Sequence, residues 1–243
     1  MLLKAGRISR ALVGASVLAS KSSTVAWTTT APPLFRLIIG SSSSLLVASV
    51  AMTSSTDASS SCSFTVVQIP CLSDNYGYLL HHDATGHTAA IDTPEAAPYR
   101  EELKKRGWKL THIFNTHHHW DHTGGNMDLK TDGVKIYGPA SEKIPGMDFA
   151  LKAGDDVEFG STKAKIMDVG GHTKGHIAYY FSEDAKVFVG DSLFALGCGR
   201  MFEGTPEQFW TSLMGLRKLP DETEVYWYDK SMLVKFTSVI VFP

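Results

Sequence analysis

Residues 116–126 read Thr-His-His-His-Trp-Asp-His-Thr-Gly-Gly-Asn, so four of the chain's ten histidines and one aspartate fall within six consecutive positions. Imidazole and carboxylate groups are ligands for zinc, iron or manganese, and metal binding is the chemistry that explains such a density. The alternate spacing lets His117 and His119 converge on one ion from a curved loop, while Asp121 and His122 can turn to a second ion or to a bound water. His118 and Trp120 then point elsewhere, and Gly124-Gly125 allows a tight turn into a following helix.

The elements around this stretch must hold it. Residues 110–115, rich in β-branched and aromatic side chains, predict a buried strand, so the cluster lies on the loop at its C-terminal end, where α/β sheets build their sites. Upstream, alternation predicts strands at 64–69, 76–82 and 88–91 as an antiparallel meander. Asp92-Thr93-Pro94-Glu95 reads as an N-cap with a first-turn proline and acid, opening a helix to Arg106 that stops at Gly107. Downstream, a short helix at 124–129 and strands at 134–137, 156–159, 163–169, 177–181 and 186–189 are expected. Thr205-Pro206-Glu207 then caps a helix to about Lys218. Strands interleaved with helices give an α/β class.

With 243 residues and 43% hydrophobic content the chain can bury a full core. A net charge of −2 argues against a nucleic-acid partner. Cys62, Cys71 and Cys198 are too few, and odd in number, for a disulfide framework. Residues 1–62 differ from the rest: Lys4, Arg7, Arg10, Lys21 and Arg36 are spread through Ser, Ala, Thr and Leu, with no acid before Asp57. That is a transit-peptide composition ending in a Ser-rich linker, and it predicts a mitochondrial matrix protein. Initiation at Met52 would give a shorter, cytosolic form. The apolar stretches 12–19 and 34–52 are interrupted by Gly14, Ser16, Arg36 and Ser41 to Ser44, so neither a secretory signal nor a membrane span is expected.

The segment 116–126 resembles the metallo-β-lactamase superfamily, and its wording is similar to the glyoxalase II branch, the hydroxyacylglutathione hydrolases. Three further segments carry the same resemblance. Gly-Gly-His172-Thr-Lys-Gly-His176 is similar to the family's H-T-x-G-H element, which implies that His172 is a ligand of the first metal; His176 reads as structural or as a support to the ligands rather than as a ligand. Gly190-Asp191-Ser-Leu-Phe194 matches G-D-[ST]-L-F, which implies that Asp191 bridges two metals. Gly197-Cys-Gly-Arg200-Met-Phe202-Glu-Gly204 is similar to the branch's G-C-G-[KR]-x-[FY]-E-G element, in which the basic residue contacts glutathione. Arg200 and Phe202 are therefore the substrate-binding candidates, the phenyl ring lacking the hydroxyl that some relatives carry.

The resemblance implies an αββα sandwich over residues 63–226 and two divalent ions of zinc, iron or manganese. The first site would comprise His117, His119, His172 and Asp191, and the second Asp121, His122 and Asp191. It implies hydrolysis of the thioester S-D-lactoylglutathione to D-lactate and glutathione, with Asp121 also orienting the attacking water. From Trp227 to Pro243 the sequence departs from the family. The C-G-H-E-Y-T element that supplies the last ligand of the second site is replaced by Trp227-Tyr228-Asp229-Lys230-Ser231-Met232, so that site is incomplete. Counting without gaps puts Asp229 at the missing histidine, and the family's C-terminal helical domain is expected to be absent. Two alternatives follow: a persulfide dioxygenase holding one iron by two histidines and an aspartate, or an inactive metal-binding fragment.

Overall fold

The computed structural model describes residues 63–195 and 197–228. The basic amino-terminal segment, Cys62, Asp229 and the apolar tail lie outside the described residues.

Two sheets carry the architecture. In the first, β1 (Thr65–Cys71), β2 (Asn75–His82) and β3 (His87–Ile91) form the expected antiparallel meander. β4 (His112–Phe114), β5 (Lys135–Pro139) and β6 (Phe149–Leu151) then add in parallel. The second sheet runs in the order β11, β10, β9, β8, β7. It is built from β7 (Asp156–Phe159), β8 (Thr162–Asp168), β9 (Ile177–Phe181), β10 (Lys186–Gly190) and β11 (Glu224–Trp227), with only the β10–β11 pair parallel.

The period of two along the strands sends alternate side chains to opposite faces, and in the central strands both faces are buried. Leu80, Ile91, Phe114, Tyr179, Phe181 and Phe188 meet in a core with Phe64, Phe159 and Tyr228. Their neighbours Leu79, Ala90 and Ile113 belong to a second core with Tyr99 and Leu103 of the helix α1 (Ala97–Arg106). Ala178, Val187 and Val189 belong to a third with Leu216 of the helix α4 (Pro206–Leu216). Strands apolar on both faces require a layer on each side, which is the αββα sandwich expected from the resemblance.

Several expectations need correction. The helix does not open at Asp92: Ala96 is its N-cap and Pro98 lies in its first turn, while Asp92 is fully buried with φ +49° and its carboxylate engaged elsewhere. The helix expected at 124–129 is two single turns, α2 (Trp120–Thr123) and α3 (Asn126–Leu129). A Cβ on Gly124 would lie 2.7 Å from the Pro94 carbonyl oxygen, so glycine lets the ligand loop sit against that backbone. α4 ends at Leu216 rather than Lys218, and Thr205 caps it as expected, its hydroxyl accepting from Gln208 N at 3.2 Å. β6 and β11 were not foreseen. Cys71 is buried and Cys198 exposed, and neither is in a disulfide among the described residues.

His112, on β4, sits among the rings of His87, Phe114, Tyr137 and Phe159. Burial, and then His87, push its pKa down to about 4. The unfolded ring titrates near ~6.5. Its contribution to stability is therefore complete above that pH and is lost as pH falls toward 4, because the unfolded chain binds the proton first. Allowing for the ring's partial exposure, the loss is on the order of 2 kcal/mol. His112→Asn should flatten this part of the acid limb when melting temperature is followed from pH 7 to 4.

Candidate metal centre

The loop from Thr116 to Thr123 leaves the C-terminal end of β4 at the edge of the inter-sheet core. His117 Nε2 lies 3.1 Å from His119 Nδ1, and His172 Nε2 lies 2.9 Å from that same atom. Three nitrogens this close are spaced like the corners of a coordination polyhedron, since tetrahedral zinc–nitrogen bonds of ~2.0–2.1 Å put ligand atoms roughly 3.3 Å apart. His117 is fully buried, His172 is 4% exposed and His119 is half-buried.

The hydrogen bonds behind these rings fix which nitrogen faces inward. His172 Nδ1 donates to the Arg200 carbonyl at 2.7 Å, leaving Nε2 with its lone pair toward the site. The Thr116 hydroxyl donates to Asp92 Oδ2 at 2.7 Å and accepts from His117 Nδ1 at 3.0 Å, which frees His117 Nε2 in the same way. Burial lowers the pKa of all three rings, and the mutual repulsion of neighbouring histidines lowers it further for His117 and His119. Neutral imidazoles are the form that binds metal.

A second set of donors adjoins the first. Asp191 lies just past the end of β10 with Oδ2 3.4 Å from His172 Nε2 and Oδ1 3.4 Å from His122 Nε2, so one carboxylate faces both groups. Asp121 Oδ2 is 3.8 Å from His122 Nε2 and accepts from Asn75 Nδ2 at 3.1 Å. His122 Nε2 is buried without a hydrogen-bond partner. Its Nδ1 donates to Asp92 Oδ2 at 2.8 Å, so the other nitrogen faces the Asp121 and Asp191 carboxylates. Such a gap calls for positive charge. Burial opposes charge on His122, yet Asp191 and Asp92 outweigh it and hold the ring's pKa well above the ordinary value. Burial is the largest single influence on Asp191 and raises its pKa, but His122, His172 and His176 together outweigh it and the pKa falls to about 2. The residues present therefore fit metal ions.

All six residues expected as ligands, His117, His119, Asp121, His122, His172 and Asp191, converge here. Arg200 and Phe202 lie at the rim: the Phe202 ring stands edge-on to His119 and His172 at 5.5 and 5.2 Å, with the Arg200 guanidinium over it at 5.0 Å. His176, read from the sequence as structural or as a support to the ligands rather than as a ligand, has both ring nitrogens engaged within the protein. Its pKa is pushed to about 3 by burial and then by His172, it stacks on His117, and its Nε2 accepts from Asp191 N at 3.1 Å. Trp120 points to solvent and His118 away from the site toward Glu142.

The residue that the sequence reading missed is Asp92. Besides His122 it accepts from Thr116 N at 2.8 Å, so it orients both the loop and one of its rings. Its place directly after a buried strand was the signal available.

The sequence family described as the metallo-beta-lactamase superfamily matches residues 78–226, more than half of the chain. The chain belongs to the metallo-beta-lactamase superfamily. Within it, the chain is 54% identical over 164 residues to the hydroxyacylglutathione hydrolase of Methylococcus capsulatus, covering 66% of this chain and 64% of that one. It is 54% identical over 162 residues to the hydroxyacylglutathione hydrolase of Hyphomonas neptunium, covering 65% and 63%. The chain thus spans less than two thirds of the length of these curated relatives. Among solved structures, ETHE1 from Myxococcus xanthus is similar with a TM-score of 0.60 and 30% identity over 68% of this chain and 74% of that one. A structure of TTHA1623 in a di-iron-bound form is similar with a TM-score of 0.55 and 25% identity over 67% and 90%.

Proposed function

We propose that this chain is a hydroxyacylglutathione hydrolase, cleaving the thioester S-D-lactoylglutathione to D-lactate and glutathione. The observation that carries this reading is the attachment of the segment 197–204 to the metal centre. His172 Nδ1 donates to the Arg200 carbonyl, and Phe202 N donates back to the His172 carbonyl at 3.1 Å. The segment whose sequence resembles the glutathione-binding element is thus anchored to a metal-site histidine, with its guanidinium at the rim.

His117, His119, His172 and Asp191 would hold a first divalent ion, and Asp121, His122 and Asp191 a second, of zinc, iron or manganese. Bound there, such ions supply the positive charge that acidifies water and stabilises the oxyanion developing on a thioester carbonyl. The chain's own groups set the stage. Asp121, held by Asn75, orients a water as hydrogen-bond acceptor and receives its proton. Arg200 offers the carboxylates of the tripeptide a planar pair of donors. Phe202 shields His119 and His172 from bulk water and gives the acyl-sulfur end an apolar edge. The thiolate leaving group needs little protonation. The basic, acid-poor composition of residues 1–56 supports a mitochondrial location.

The test is loss of thioester absorbance when the metal-supplemented full chain meets S-D-lactoylglutathione, with His119→Ala beside it. Turnover in the wild type and its loss in the variant are expected. Oxygen uptake with glutathione persulfide and no thioester cleavage would instead favour a dioxygenase. Full metal loading with neither activity would overturn the enzymatic reading.

A further inference from the structure

One buried carboxylate near the metal centre has no part in the chemistry above. Glu142, on the loop between β5 and β6, has a side chain only 4% exposed. Its Oε2 accepts from His118 Nδ1 at 3.0 Å. Its Oε1 accepts from the Thr173 hydroxyl, and from Gly175 N at 3.0 Å. A Cβ on Gly175 would come within 2.7 Å of Glu142 Cγ, so the two loops are in direct contact.

The partners of this carboxylate belong to different parts of the centre. His118 stands between His117 and His119 on the loop from the first sheet, and Thr173 and Gly175 follow His172 on the loop from the second. A second, outer link runs parallel to the first: His118 Nε2 lies 3.5 Å from Glu203 Oε1, and Glu203 Oε2 accepts from Lys174 N at 3.2 Å. His118 points outward, so securing its ring fixes the backbone between two residues that point inward. The pocket's tightest gap, 2.9 Å between His119 Nδ1 and His172 Nε2, is spanned by these same two loops.

We propose that Glu142 is a positioning residue that sets the separation of the two loops, and with it the affinity and geometry of the three-histidine metal pocket. The inference rests on reading that pocket as a metal site. A partner that orients ligands without touching the ion typically contributes ~10–100-fold in affinity.

The experiment is cobalt(II) titration of the full chain, read by its visible ligand-field bands and by competition with a chelating dye. Glu142→Ala should bind cobalt about 10–100-fold more weakly, with shifted bands. Glu142→Gln should recover part of the affinity, because its amide oxygen still accepts from Thr173 and Gly175. Thr173→Val should weaken binding several-fold. Glu142→Ala with Thr173→Val should be no weaker than Glu142→Ala alone, since both remove the same link.

Asp184→Ala is the control. That carboxylate accepts from Ser63 N, Ser63 Oγ and Thr162 Oγ1 beside the β9–β10 turn, at the opposite end of β10 from Asp191, so its loss should lower stability and leave cobalt affinity unchanged. Wild-type affinity and bands in a folded Glu142→Ala chain would overturn the proposal. So would an equal loss of affinity in Asp184→Ala, which would show general loosening. If Glu142→Ala does not fold, unchanged binding by Thr173→Val overturns it. A wild-type chain that takes up no cobalt would overturn the metal reading itself.

Discussion

Asp191→Asn is expected to remove thioester hydrolysis, by about 10³-fold or more, and to strip the centre of at least one metal ion. The carboxylate places one oxygen 3.4 Å from His172 Nε2 and the other 3.4 Å from His122 Nε2, so both donor groups depend on it. An amide keeps the shape but offers a single neutral acceptor, and its NH₂ would point at an unprotonated imidazole or at a cation. Metal content after dialysis against a weak chelator, measured beside turnover, checks this. An asparagine variant with full metal and wild-type rate would show that the proposed sites do not share this residue.

The second large effect is expected at Asp92, through the fold as well as the site. Its buried carboxylate accepts from Thr116 N, Thr116 Oγ1 and His122 Nδ1 at 2.7–2.8 Å. Asp92→Ala leaves these three donors without a partner in a region closed to water. At about 1–3 kcal/mol for each unsatisfied buried group, tempered by relaxation, a loss of ~3–5 kcal/mol follows. Asp92→Asn is expected to recover only part of it, since one amide oxygen cannot serve three donors in the same directions. Chemical denaturation of the metal-free chains isolates this term from metal binding. With His122 no longer held, the variants should also lose metal from the Asp121–His122–Asp191 group before the three-histidine group. Equal stability of wild type and Asp92→Ala would contradict the role assigned here.

The misreading of Asp92 shows where a sequence stops being legible. Asp-Thr-Pro-Glu before a helical stretch has every local feature of a helix start, and the residue's actual partners lie 24 and 30 positions further on. Local pattern carries no information about partners at that range. The cluster His117 to His122 was legible because its ligands are close together in the chain and so dense that chance is a poor explanation. His172 and Asp191 are single residues after ordinary strands, and only the family resemblance singled them out. Strands with alternating or continuous apolar character were found to within a residue or two. β6 and β11, at three and four residues, are defined by the neighbours they pair with rather than by their own composition. Glu142 was invisible for the same reason as Asp92: its loop has no pattern, and its meaning comes from three partners on other segments.

The order in which the donors occur along the chain has a consequence for synthesis. His119 and His172 are 53 residues apart, and the strand that presents Asp191 comes later still. While the polypeptide is being made, the loop with His117, His119 and His122 emerges first and must wait for its remaining partners. During that interval it offers an ion two or three imidazoles on a flexible segment, with no enclosing wall and no bridging carboxylate. Tight capture can begin only after the second sheet has closed over the first, a step slowed by the long loops that have to be ordered. An ion held at the proposed centre would thus be captured late, and its identity would reflect what is supplied once the sandwich has formed.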